Sequence, residues 1–407
     1  MELRFLGGAR EIGRSALLID DSLLVDFGLT ADESPRLPQS IPDPDAVVAS
    51  HGHLDHVGAI PALLAGTERP PVHWTPITRD LTRVLAQDTL KLHGGTPRAP
   101  FADPHVARLG EVSRVHDYGE PFDAAGYRVT LLDAGHVPGS AHVLIDDGET
   151  RLLYTGDFTT ADQRLLAGTT ARPSADAVVC EATYSDTERP PRGDIESRFV
   201  ERVERTLWNG GTVLVPAFAI GRTQEVAAIL AAADLPCYVD GMGQRVFELL
   251  DHSRSMLADP RAFARAKSHA RFVSGDRHRI AAESTVIVTT SGMCRGGPVA
   301  TYLPLVADQP KNTIALTGFQ VPGTPGRDLL ERGRATVDGR SIQASATVEQ
   351  FDLSAHADRD GLRAFLADYR DTRVLVTHGD RCESFAESLR ADGIDAAAPA
   401  VGDPITV

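Results

Sequence analysis

The run His51-Gly-His-Leu-Asp-His56 puts three imidazoles and a carboxylate within six residues. Imidazole nitrogen and carboxylate oxygen are the ligands that suit zinc. A rigid turn can aim His51 and His53 at one ion, while Asp55 and His56, at the start of a helix, reach a second. A zinc site takes about four ligands, so further donors must come from elsewhere in the chain. The sequence offers them as His136 in Asp133-Ala-Gly-His-Val-Pro-Gly-Ser140, Asp157 in Tyr154-Thr-Gly-Asp157 and His378 in Val376-Thr-His-Gly-Asp380. A lone His-x-His mostly marks a polar surface loop. Ligand types packed this tightly, with His and Asp recurring downstream, read as a metal centre.

Such donors need strands to hold them. Short apolar runs alternating with amphipathic stretches give an α/β rhythm. Strands are expected at Glu2–Leu6, Ala16–Ile19, Leu23–Asp26 and Ala46–Ser50, then the HGHLDH loop and a helix from about Val57 to Ala65. Further strands are expected at Tyr127–Leu132, Ala141–Ile145, Arg151–Tyr154 and Ala177–Cys180. The candidate ligands, and Glu181, sit just past strand ends, where ligands bind in layered α/β proteins. After the Pro/Arg/Gly/Asp stretch Glu188–Asp194 the pattern becomes a clearer helix and strand alternation. Block 188–345 reads as a doubly wound domain of its own, lying between residues 1–187 and 346–407.

The 407 residues carry 41 Lys and Arg against 56 Asp and Glu, a formal charge of −15. Only Lys91, Lys267 and Lys311 are lysines. This balance excludes a protein that grips nucleic acid by bulk positive charge. No apolar run approaches the roughly 20 residues of a membrane span, and no export signal precedes the first strand. Cys180, Cys237, Cys294 and Cys382 form no CxxC pair, so a reduced, cytoplasmic protein is expected.

HxHxDH, an isolated His, an Asp after a strand and a late His together resemble the metallo-β-lactamase fold. Further segments resemble its β-CASP branch, nucleases that process RNA or DNA: Val179-Cys-Glu-Ala-Thr-Tyr184, Leu353-Ser-Ala-His-Ala-Asp358, Pro216-Ala-Phe-Ala-Ile-Gly-Arg-Thr-Gln-Glu225, Thr290-Ser-Gly-Met293 and the stretch from Thr317 to Arg327. The resemblance spans essentially the whole chain. It implies an αββα sandwich interrupted by an inserted α/β β-CASP cap. It implies two zinc ions, one on His51, His53, His136 and bridging Asp157, the other on Asp55, His56, Asp157 and His378. Asp26 matches the family's first acidic motif and would support the ligand loop. Asp55, Glu181 and His356 are the catalytic candidates, with Glu181 orienting His356 as general acid.

A histidine at position 378 is similar to the RNA-processing members, so single-stranded RNA is the implied substrate, cut endonucleolytically and, by family precedent, also from the 5′ end. Within the branch the chain looks like archaeal relatives of the cleavage and polyadenylation specificity factor's nuclease subunit, of the short type without KH domains. Family precedent and a last strand ending at Val407 point to a homodimer, and RNA-processing partner proteins are a further expectation. Arg222, Arg295 and Arg327, in loops of the cap, are candidates for phosphate contact, as is Ser354. His142 and Gly7-Gly8 read as structural. The competing readings are a DNA-directed β-CASP nuclease, a small-molecule hydrolase of the same fold, and a non-catalytic scaffold subunit that would have no need of an intact ligand set.

Overall fold

The computed structural model describes residues 1–31 and 34–407. The chain folds into two compact units, one of residues 1–162, 168–188 and 355–407, the other of 163–167 and 189–354.

The first unit is built on two seven-stranded sheets. One runs Pro404–Thr406, Glu2–Gly7, Ala16–Ile19, Leu23–Val25, Ala46–Val48, Val72–Trp74 and Ser113–Val115 in spatial order. The other runs Ala396–Ala397, Arg373–Thr377, Ala177–Glu181, Arg151–Tyr154, Ala141–Asp146, Tyr127–Asp133 and Pro121–Ala124. Alternation along each strand sends side chains to both faces. Leu17, Ile19, Val48, Val129, Val143 and Leu152 fill a core shared by the two sheets. Leu18, Val47 and Trp74, on the outer face of the first sheet, pack with Ile60, Leu64 and Leu109 of its helices. Val178, Val374 and Val376 do the same on the second, against Leu362, Phe365, Phe385 and Leu389. The result is the αββα layering expected from the sequence.

Topology gathers the candidate ligands. Strand 127–133 is antiparallel to 141–146, which is antiparallel to 151–154, and 151–154, 177–181 and 373–377 are parallel. The strands that lead to His136, Asp157, Glu181 and His378 therefore all point the same way, so these residues share one sheet edge. In the first sheet the parallel neighbours 23–25 and 46–48 deliver Asp26 and His51 in the same manner.

The helix expected over 57–65 starts earlier and breaks. Leu54–Val57 is helical, with Gly58 as its C-cap, and Ile60–Leu64 continues as a 3₁₀ turn with Pro61 in its first turn. A side chain at position 58 would meet the Leu54 carbonyl oxygen at 2.4 Å. Helices Pro76–His93 and Asp103–Val112 lie in a stretch to which the apolar patterning assigns no element. The first is set by Thr75, whose hydroxyl accepts from the Thr78 amide, with Pro76 as first helical residue.

The second unit is a wholly parallel six-stranded sheet in the order Ala270–Phe272, Cys237–Asp240, Val286–Thr289, Val213–Pro216, Thr313–Leu316, Thr347–Gln350, with helices packed on it. Its return point lies at 354/355, not at the 345/346 expected from the sequence. The reason is that Thr347–Gln350 pairs with Thr313–Leu316 as an edge strand of this sheet. Residues 163–167 also belong here. The buried Glu225 carboxylate accepts from the Arg164 amide at 2.9 Å, the Leu165 amide at 2.8 Å and Arg192 Nη2 at 2.6 Å. Breaking one partner of a buried pair leaves the others unsatisfied. Glu225→Ala should cost about 3–5 kcal/mol in chemical denaturation and speed amide exchange at Arg164 and Leu165; unchanged exchange would show that Glu225 does not pin this segment.

Candidate metal centre

Three groups of donor atoms, each with its members within 4.8 Å of one another, lie among the described residues: His51, His53, His136 and Asp157; Asp55, His56 and His378; and Asp157, Glu181 and His356. Asp157 joins them. Its Oδ2 lies 3.5 Å from His51 Nε2, 3.4 Å from His56 Nε2 and 3.8 Å from His136 Nε2, while Oδ1 lies 3.6 Å from His378 Nε2. His378 Nε2 is also 3.7 Å from Asp55 Oδ2.

The far side of four of the five ligand rings is committed. His56 Nδ1 bonds Asp26 Oδ2 at 2.7 Å, His136 Nδ1 donates to the Ala355 carbonyl at 2.9 Å, His378 Nδ1 meets Ser15 Oγ at 3.0 Å, and His51 Nδ1 meets Ser50 Oγ at 3.1 Å. Such partners fix the tautomer and turn the other nitrogen inward, as ligating histidines require. Asp26 also accepts from the Ser50 amide and hydroxyl at 2.7 Å each and from the Tyr154 hydroxyl at 3.0 Å. Gly156, at φ 52°, lets the chain pass Ser50 on its way to Asp157, since a Cβ there would lie 2.9 Å from that of Ser50.

The electrostatics match a cation. Burial, followed by the neighbouring imidazole His56, holds His51 well below the ordinary histidine range; burial and the rings of His356 and His53 do the same to His136. Both are then neutral, the form that ligates metal. Burial alone would raise Asp157, yet His378, His56, His356 and His51 hold it well below the usual carboxylate range. Burial opposes charge on His56 too, but Asp157 and Asp26 lift it well above the ordinary value. His51 Nε2, His56 Nε2 and Asp157 Oδ1 are buried without a hydrogen-bond partner. Orphaned polar atoms of this kind are expensive. Three converging on one centre, all metal-ligand types, fit a bound cation.

Beside the shared carboxylate, His356 Nδ1 lies 3.0 and 3.1 Å from the two Glu181 oxygens, and Glu181 also accepts from the Phe158 amide at 2.9 Å. A histidine held this way by a carboxylate is equipped for proton transfer.

The polar candidates of the second unit stand differently. Arg222 and Arg327 are not loop residues. Arg222 opens the helix Arg222–Ala232 after Gly221 and donates to the Thr317 carbonyl, and Arg327 lies in Pro325–Arg332, capped by Thr324, paired with Glu331 at 2.6 Å. Arg295 is exposed and donates to the Gly323 carbonyl at 3.1 Å. The Ser354 amide donates to Asp352 at 3.2 Å and its carbonyl accepts from Arg192 at 3.3 Å. His142 is buried, with Nδ1 2.8 Å from the Thr155 carbonyl, as suits a structural residue. Sequence reasoning misses Ser15, Ser50 and Tyr154 as supports. Ser50 and Tyr154 flank the ligand motifs, and that adjacency is the available signal; Ser15 has none.

Three family models match this chain: the Metallo-beta-lactamase superfamily over residues 10–197, the Beta-Casp domain over 223–329, and the Zn-dependent metallo-hydrolase RNA specificity domain over 341–399. Similar proteins include RNase aCSPSF2 of Saccharolobus solfataricus, 34% identical across all of this chain and 85% of that one. Probable RNase MJ4 of Methanocaldococcus jannaschii is 32% identical over the full length of both, and transcription termination factor FttA of Pyrococcus abyssi is 32% identical over 97% of this chain and 69% of its own. The crystal structure of a protein of unknown function from Enterococcus faecalis V583 shares the fold, with a TM-score of 0.62 at 13% identity, covering 100% of this chain and 99% of that one.

Asp26→Ala would strip the loop of its anchor. The expected outcome is a roughly 10- to 100-fold loss of metal affinity, read by competition with a chelator of known strength. Affinity equal to the parent's would mean that Asp26 does not orient the ligands.

Proposed function

The chain belongs to the metallo-β-lactamase superfamily, in the branch that carries the β-CASP domain, and from that premise we propose that it is a metal-dependent ribonuclease hydrolysing phosphodiester bonds of single-stranded RNA. RNA 3′-end processing or turnover is the setting that suits it, and the names of the similar archaeal proteins, RNase and transcription termination factor, support that reading. The observation that carries it is the position of Asp157, a member of the His51–His53–His136 cluster that lies 3.4 Å from His56 and 3.6 Å from His378 of the second, beside the Glu181–His356 pair.

Two zinc ions suit these donors. His51, His53, His136 and Asp157 would hold one, and Asp55, His56, His378 and again Asp157 the other. Divalent cations bound there supply Lewis-acid charge to the phosphate and lower the pKa of water. The protein's own groups supply the proton transfers. Asp55 is the most open acid of the set, its side chain 27% exposed against 2% for Asp157 and 1% for Glu181. It takes the proton that the attacking water gives up as the water oxygen bonds to phosphorus. With Nδ1 committed to Glu181, His356 delivers a proton from Nε2 to the departing O3′ as the P–O3′ bond breaks. The products are a 3′-hydroxyl and a 5′-phosphate. A homodimer and RNA-processing partner proteins belong to the same proposal. No described helix is long and apolar enough to cross a membrane.

Replacing Asp55 and His56 together by Ala should abolish cleavage of labelled RNA, as should a chelator; undiminished cutting would contradict the mechanism. Cutting 5′-labelled and 3′-labelled RNA in parallel separates endonucleolytic from 5′ exonucleolytic products. Single-stranded DNA of the same sequence should be spared, and equal cutting would favour the DNA-directed reading. His356→Ala should retain bound metal and lose about 10²- to 10⁴-fold in the chemical step. Loss of metal from that variant would make His356 a ligand instead.

A further inference from the structure

The second unit carries an aromatic patch at the ligand-binding end of its parallel sheet. Adjacent strands Val286–Thr289, Val213–Pro216 and Thr313–Leu316 end in the loops 217–221, 290–298 and 317–324. The space outside the carboxyl ends of such strands is where open α/β sheets bind ligands. Phe218 and Phe319 stand on two of these loops with 45% and 37% of their surface exposed, joined by Val321 at 37%.

Buried polar side chains fix the loops beneath them. The Phe218 carbonyl accepts from the Thr223 amide at 3.0 Å and hydroxyl at 2.7 Å, and the Thr317 hydroxyl donates to the Pro216 carbonyl at 3.1 Å. Gln320, only 1% exposed, donates from Nε2 to the carbonyls of Gly292 and Gly318, each at 3.2 Å. Gly292 in turn packs on Phe218, so closely that a Cβ there would lie 3.0 Å from the Phe218 amide nitrogen and 3.4 Å from its ring. One glutamine thus couples the loop of Phe319 to the glycine that supports Phe218.

Scattered exposed hydrophobics are ordinary, but apolar residues on abutting, braced loops form a preorganised surface. Its charge suits a polyanion. None of the three loops contains Asp or Glu, in a chain with 56 of them, and the middle loop carries exposed Arg295, held beside the patch by its bond to the Gly323 carbonyl at 3.1 Å. We infer that Phe218 and Phe319 form a stacking platform for the unpaired bases of single-stranded RNA, with Arg295 facing its phosphates. This rests on the ribonuclease reading and adds to it a reason to prefer splayed-out strands over duplex, because a flat ring offers nothing to a base already paired and stacked.

The test uses the full-length protein with metal chelated, so that RNA is bound and not cut. The probes are a short oligoadenylate containing 2-aminopurine and a ribose-phosphate chain of equal length without bases. Phe218→Leu and Phe319→Leu should each weaken oligoadenylate binding about five- to a hundred-fold, leave the weak binding of the base-free chain unchanged, and leave the melting temperature unchanged. Phe→Tyr at either position should restore affinity. With metal present, KM should rise and kcat stay as in the parent. Leucine variants with parental affinity, or an equal loss for the base-free chain, would overturn the platform. So would unaltered RNA affinity together with lost self-association, which would assign the patch to protein contact. Failure of the parent to cut any RNA overturns the ribonuclease reading itself, whereas a parent that cuts and variants that bind normally overturn only the platform.

Discussion

A carboxylate 2% exposed to solvent and ringed by imidazoles holds the centre together. Taking an ionised carboxylate out of water costs several kcal/mol, and the nearby rings, His378 and His56 foremost, are what hold Asp157 in its charged form there. Asp157 reaches its place because strand 151–154 lies inside the second sheet and because Gly156 lets the backbone pass Ser50. His56 reaches it from the first sheet, turned by Asp26. A carboxylate from each sheet therefore grips one imidazole from opposite sides. The apolar core between the sheets is what keeps the two edges in register.

The site is legible in the sequence where its signal is local. HGHLDH carries its chemistry in six adjacent residues, and His136, Asp157, Glu181 and His378 betray themselves by following apolar runs. What completes their geometry is non-local. Ser15 meets His378 across 363 positions, and the carbonyl that orients His136 belongs to Ala355, 219 residues on. No periodicity encodes such pairings. The cap's return is misplaced from sequence for a related reason, since Thr347–Gln350 becomes a strand by pairing with Thr313–Leu316, not by any alternation of its own. The helix at the end of HGHLDH is expected too late because Asp55 and His56, two of its four residues, are polar and Gly58 cuts it short.

Charge looks like the strongest argument against a nucleic-acid substrate, and its meaning lies in distribution. A net −15 excludes adhesion by a basic surface. The proposed cations would put positive charge at the reacting phosphate itself. Loops 217–221, 290–298 and 317–324 are free of acids and offer flat apolar faces, and of the three candidate arginines it is Arg295 that faces solvent, Arg222 and Arg327 being drawn into helix-end and ion-pair contacts. Both devices select for a strand whose bases and phosphates are individually reachable, and neither depends on the overall charge.

The central claim is that the two clusters sharing Asp157 hold two zinc ions. Anomalous diffraction recorded on either side of the zinc absorption edge, from crystals of the zinc-loaded protein, tests it most directly. The account predicts two peaks, one among His51, His53 and His136 and the other among Asp55, His56 and His378, both bonded to Asp157. A single peak, or a second peak lodged between Glu181 and His356, would contradict it.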